Sequence, residues 1–167
     1  VQYQPFVLPN NDYYSFERSA EQMGSGELPR SYKRMPVFPG LMAVVAPTMP
    51  EPHPELNAAL MLNIGFSIGV LIVLYSLGTR TLGPGAILLP LFFATTIQFH
   101  CMGLQPLVEP SLGFFTVLVF VLFLRRSPWQ YAAVFVAALG RYEVATLIPI
   151  LFLVNAWAER DVRRHLV

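Results

Sequence analysis

After Glu55 the chain passes through five stretches that carry no formal charge, at residues 56–79, 81–108, 110–124, 127–140 and 144–158. A helix needs about 20 predominantly apolar residues to cross a bilayer. The first two stretches meet that length. The "GPG" near the start of the second places its helix start near Ala86. The other three are shorter, and they cross only by tilting, where the bilayer thins, or where neighbours shield their ends. Only 13% of the residues are charged and the mean hydropathy is +0.52, whereas a soluble domain carries about 25% charged residues. A membrane class is therefore the first expectation. The single cysteine, Cys101, excludes an internal disulfide framework.

The hardest stretch to place is "FVAALGRYEVATLIPILF" (135–152), where Arg141 and Glu143 interrupt an apolar run. Charge at membrane depth is costly and usually functional. One long helix over 127–158, kinked at Pro149, would put "LRRS" and "ERDVRRH" on opposite faces. A turn at 141–143 instead puts Arg80, Arg125, Arg126, Arg160, Arg163 and Arg164 on one face. The positive-inside rule favours the turn and makes that face cytoplasmic. Glu109, Arg141, Glu143 and residues 1–55 then share the opposite, outer face. The kinked helix stands as the alternative.

Residues 1–55 are rich in proline and hold most of the acids. "DYYSFERSAEQM" reads as a short amphipathic helix, with Tyr13, Phe16, Ala20 and Met23 on one face and Asp12 placed to cap it. "GSGELPRSYKR" reads as a loop. "MPVFPGLMAVVAP" is apolar but too short to span, which suggests an interfacial or re-entrant helix. The expected fold is all-α: a polytopic membrane helical bundle of about five membrane helices. Its outer-face loop (1–55) carries juxtamembrane helices, the membrane region covers 56–158, and a basic cytoplasmic tail or loop covers 159–167.

Asp12, Glu109 and Glu143 are thus drawn from separate elements to one membrane surface. Such carboxylates suit a general base or ligands for a divalent metal. Each has a plainer use: Asp12 as a helix cap, Glu109 at a helix N-terminus, Glu143 as a partner for Arg141. The adjacent pair His100–Cys101 is a poor ligand spacing, and packing explains it better. His53, in "EPHPE", has nothing specific behind it as a ligand. No phosphate-cradling glycine loop, CxxC or basic-aromatic patch is present, so nucleic acid is not an expected partner.

The order of these features resembles the N-terminal half of GT-C membrane glycosyltransferases. An acid opens a short amphipathic helix, and "RMPVFPGLMAVV" resembles the entry to a juxtamembrane helix. A helix–turn–helix follows. "LVEPSLGFF" sets an acid at the head of the next helix, and "AALGRYEVATLIPILFL" is similar to a Gly-Leu-Ala-x-x-x-Arg/Lys motif between short helices. The protein O-mannosyltransferase, aminoarabinose-transferase and Rgt-type branch is the most similar. The resemblance implies transfer of a sugar from a polyprenyl-phosphate donor to a glycan, lipid or protein acceptor on the non-cytoplasmic face of a bacterial inner membrane. It implies that Asp12 is the catalytic base or a metal neighbour, that Glu109 is the second catalytic carboxylate, with a divalent ion near them as candidate cofactor, and that Arg141 lies by the lipid phosphate. Many relatives carry two adjacent acids in the first loop, whereas Asn11 and Tyr13 flank Asp12 here. The family's first membrane helix and its C-terminal half have no counterpart in these residues. A piece of a longer protein is therefore expected, inactive by itself. Two other classes remain open on the residues alone: a transporter component with Glu109, Arg141 and Glu143 along its path, and a non-catalytic membrane subunit.

The turn arrangement predicts that Tyr142→Cys, in a Cys101→Ser background, reacts with an impermeant thiol reagent added to the outer face. Labelling from the cytoplasmic side alone rejects it.

Overall fold

The computed structural model describes residues 11–29 and 35–165, and every regular element among them is helical. The polar opening segment and residues 30–34 of the expected loop lie outside the described residues.

Helix α1 (Asn11–Gly24) is amphipathic as its spacing predicts. Tyr13, Phe16 and Ala20 are buried, while Asp12, Arg18 and Glu21 face out. Asp12 lies inside the first turn, not ahead of it as a cap would. The position still suits an acid, because the helix N-terminus carries partial positive charge. The helix closes at Gly26, whose φ of 79° lets Glu27 N donate to Gln22 O at 2.8 Å. Helix α2 (Val37–Val45) buries Phe38, Pro39 and Met42, and it is too short to cross a bilayer. Pro39 sits in its first turn, where a missing N–H costs little.

Helix α3 (Pro54–Thr81) has 28 residues, or about 42 Å at 1.5 Å per residue. Among the described residues it alone is long and apolar enough to cross a membrane by length and composition. The expected second crossing over 81–108 does not form as one helix. A 3-10 segment at Gly83–Ile87 leads into α4 (Leu88–Ala94), and the chain then breaks before α5 (Ile97–Leu104). The cause of the break is local. The hydroxyls of Thr95 and Thr96 donate to the carbonyls of Phe92 (2.9 Å) and Phe93 (2.8 Å), competing with the helical ladder.

Helix α6 (Glu109–Leu124) starts on Glu109 with Pro110 in its first turn. It ends at Arg126, which takes a left-handed φ of 52° so that Ser127 N reaches Leu122 O at 3.0 Å. Helix α7 (Trp129–Gly140) stops at Arg141, which is extended (φ −156°), and a 3-10 turn at Tyr142–Thr146 leads into α8 (Leu147–His165). The long helix kinked at Pro149 is therefore not formed; Pro149 lies in the first turn of α8. The segment expected as a basic tail continues α8 to His165. Helices α6 and α7 have 16 and 12 residues, about 24 and 18 Å, against a hydrocarbon core of about 30 Å. Five crossings do not follow from these lengths.

The contacts set the directions. Asn63 of α3 meets the loop ahead of α6, Gly69 lies against the Phe114 ring, and Arg125 Nη2 donates to Ser76 Oγ. Helices α3 and α6 therefore run parallel. Helix α7 returns antiparallel to α6. Asn155 Nδ2 of α8 donates to the Tyr131 hydroxyl at 2.9 Å, so α8 folds back along α7. Arg125 and Arg126 fall at the end of the bundle where α3 finishes with Arg80. Glu109, Arg141 and Glu143 fall at the other end. One apolar cluster knits that second end together: Tyr13, Phe16 and Ala20 of α1, Phe38 and Met42 of α2, Leu56 and Ala59 of α3, and Val108. A second cluster, on Val119, Ala133 and Val134, joins α6 to α7 and α8.

Two outcomes are expected. A Cβ at Gly78 would stand 2.9 Å from the Ala86 carbonyl oxygen, whereas one at Gly65 would meet nothing within 4 Å. Gly78→Ala should lower stability by about 1–3 kcal/mol, and Gly65→Ala should be neutral or stabilising by up to about 1 kcal/mol. Thermal unfolding in detergent compares them. Burial first, then the hydrogen bond that Tyr13 donates to Glu17 Oε1 (2.8 Å), push the Tyr13 phenol above its ordinary value. The unfolded chain then releases a proton above about pH 10 that the folded chain retains, so stability should fall there by up to about 1.4 kcal/mol per pH unit. Tyr13→Phe should remove that increment of slope, as read from denaturant unfolding across pH 9–11.

Candidate functional site

Asp12, Glu109 and Arg141 come from three separate parts of the chain, and all three line one cavity of about 270 Å³. Glu143, expected among the outer-face carboxylates and, more plainly, as a partner for Arg141, lines it too. Phe16 and Val108 form part of its wall. The convergence has a clear origin. Tyr13 and Phe16 flank Asp12, Val108 precedes Glu109, and all three apolar residues belong to the same buried cluster. Each acid is carried to the rim by the apolar neighbours that anchor its element. Arg141 arrives because α7 ends there, and its extended backbone turns the side chain out of the helical path.

The guanidinium of Arg141 lies between two carboxylates. Its Nη1 is 3.7 Å from Glu109 Oε1 and its Nε is 3.5 Å from Glu143 Oε2. Both distances exceed the 2.7–2.9 Å of a charge-assisted hydrogen bond. The side chains of Glu109, Arg141 and Glu143 are 37%, 45% and 52% exposed, so water screens the pairs and their stabilisation is small. Their effect is to orient the guanidinium over the cavity without saturating its donors. Glu109 Oε2 is shielded from solvent and has no hydrogen-bond partner among the described residues. It remains available to a donor.

Asn63, which the sequence did not single out, does not line the cavity but binds the loop that leads to Glu109. It is fully buried on α3, and its Nδ2 donates to the carbonyls of Gln105 and Leu107, the latter at 2.9 Å. The signal was an amide inside an apolar run ("LMLNIGF"), a position where polar groups seldom sit without a partner.

The metal expectation finds a partial donor set. Asp12 and Glu109 share the cavity, but among the described residues no group of three or more His, Cys, Asp or Glu is arranged to hold an ion. One oxygen of Glu109 faces Arg141 instead. His100 and Cys101 are exposed on α5, with His100 edge-on to Phe99, and His53 is exposed just before α3. None of the three lines the cavity.

No protein-family model matches the chain, and comparison with curated proteins and with solved structures finds no match.

Proposed function

We propose that this chain is part of a membrane glycosyltransferase that moves a sugar from a polyprenyl-phosphate donor to an acceptor hydroxyl on the non-cytoplasmic face. The observation that supports it most is the cavity, where Asp12 of α1 and Glu109 of α6 line the same space as a guanidinium that Glu109 and Glu143 approach at 3.7 and 3.5 Å without saturating it. In this reading Asp12 takes the proton of the acceptor hydroxyl as that oxygen attacks the anomeric carbon. The bond from the anomeric carbon to the phosphate oxygen breaks, and Arg141 meets the charge that develops on the departing lipid phosphate. Glu109 holds Arg141 through Oε1 and offers Oε2 to a hydroxyl of the acceptor or sugar. No step requires a metal; a divalent ion at Asp12 and Glu109 would be an addition to this scheme.

The sides of the bundle support a membrane setting. Ile64, Ile68 and Ile72 on α3, Phe92 on α4, and Phe152 and Leu153 on α8 are all exposed. So much unpartnered apolar surface suits lipid better than water. Helix α3 would cross outright, and the shorter α6, α7 and α8 would cross by tilt and local thinning, giving the polytopic bundle. A second cleft of about 370 Å³, almost wholly apolar, lies along the α3–α6 seam between Phe66, Gly69 and Phe114. It offers a surface for a prenyl chain. The membrane would be the bacterial inner membrane, with the arginine end cytoplasmic.

The test is transfer of radiolabelled sugar by the full-length protein from a panel of undecaprenyl-phosphate hexoses and pentoses. Asp12→Asn should slow transfer by about 100-fold or more, the contribution expected of a general base. Unchanged transfer removes Asp12 from that role. Flux of a solute across vesicles with no glycosidic product would replace the enzyme reading with a transporter.

A further inference from the structure

We infer that Asn63 is the positioning residue for the Glu109 carboxylate: its amide, buried in α3, sets the loop 105–108 and thereby the start of α6. The inference rests on the reading of Glu109 as a working group of the site, but its geometry stands apart from the chemistry. Asn63 is 0% exposed, and both hydrogens of its Nδ2 are spent on the carbonyls of Gln105 and Leu107. These carbonyls belong to a segment without regular structure, so no helical ladder satisfies them. Gln105 O also accepts from Leu107 N at 2.8 Å, whereas Leu107 O has Asn63 as its donor among the described residues. Only one residue, Val108, separates Leu107 from Glu109. Between them Val108 is seated in the apolar cluster, and its carbonyl accepts from Ser111 Oγ (2.7 Å) and Leu112 N (3.1 Å) as α6 begins. The amide fixes the loop from one side and the Val108 side chain fixes it from the other. Glu109 then has little freedom of backbone position, which a catalytic group held to a fraction of an ångström requires.

The amide is suited to this task by chemistry as well as by place. A carbonyl pair needs two donors on one centre, and Asn supplies them without charge. Aspartate at this site would present oxygens to oxygens, and alanine would leave the Leu107 carbonyl unpaired while Gln105 O kept only its bond from Leu107 N (2.8 Å). The remaining atom, Asn63 Oδ1, is buried with no hydrogen-bond partner among the described residues. The site therefore keeps a polar atom at a cost, which a residue chosen for packing alone would not incur.

The test uses the full-length protein in a Cys101→Ser background. Glu109→Cys and Arg141→Cys are joined by a short bis-methanethiosulfonate reagent, and the crosslinked peptide is quantified by mass spectrometry. Asn63→Asp should lower the crosslinking rate about fivefold, with Asn63→Ala in between. Leu74→Ala, which removes packing from the far part of α3, should lower the melting temperature and leave the rate unchanged. An unchanged rate in Asn63→Asp overturns the inference, as does an equal fall in Leu74→Ala. If Asn63→Asp fails to fold, the rate is read in Asn63→Ala, where no change overturns the inference equally. With native Glu109 and Arg141, Asn63→Ala should lower kcat for sugar transfer while KM for the undecaprenyl-phosphate donor holds. An unaltered kcat despite slowed crosslinking overturns the positioning role. Absence of transfer in the parent protein would instead reject the glycosyltransferase reading, and the crosslinking rates would still decide whether Asn63 places residue 109.

Discussion

The arrangement at the acidic end of this protein depends on one apolar cluster, in which Tyr13, Phe16, Phe38, Met42 and Val108 are buried together. Burying a large apolar side chain contributes about 1.5–3 kcal/mol, an upper estimate because the unfolded chain already hides some surface. The ion pairs of Arg141 are more than a third exposed, and such pairs contribute about 0–1 kcal/mol. Packing therefore assembles the site, and the charges are passengers placed by it. Phe16 stands edge-on to Phe38 at 5.5 Å, joining α1 to α2. Val108 then brings the head of α6 to the same cluster.

This division has a functional logic. A site held together by its own ion pairs would lose its shape when a ligand took one of the charges. In the proposed reading the guanidinium of Arg141 turns to the donor phosphate while α1 and α6 remain where the cluster holds them. The long distances from Arg141 to Glu109 and Glu143 belong to the same pattern, since neither carboxylate claims the cation fully. In the glycosyltransferase reading, that leaves donors for an incoming anion and a shielded oxygen of Glu109 for a hydroxyl.

Much of the local structure was legible in the residues. The face of Tyr13, Phe16 and Ala20 followed from helical spacing, the start of α6 from "VEP", and the turn at Arg141 from the distribution of arginines along the chain. The break within 81–108 was not legible from hydropathy, because Thr95 and Thr96 barely lower the apolar average while their hydroxyls compete for the ladder. Asp12 was placed one step outside its helix, since capping residues and first-turn acids are drawn from the same residue types. Asn63 stood out only as an amide in an apolar run. Its partners lie more than forty positions away, at Gln105 and Leu107.

What the sequence by itself determined is the all-helical character, the apolar faces and the placing of Arg80, Arg125 and Arg126 at the end opposite Glu109 and Glu143. These follow from periodicity and charge, which act over a few residues or along the chain axis. Only the tertiary structure decided that Asp12, Glu109, Arg141 and Glu143 share one cavity, and that Asn63 bonds to the loop ahead of α6. Convergence depends on how helices pack and where a loop is pinned, and those are set by contacts between residues that no local pattern pairs.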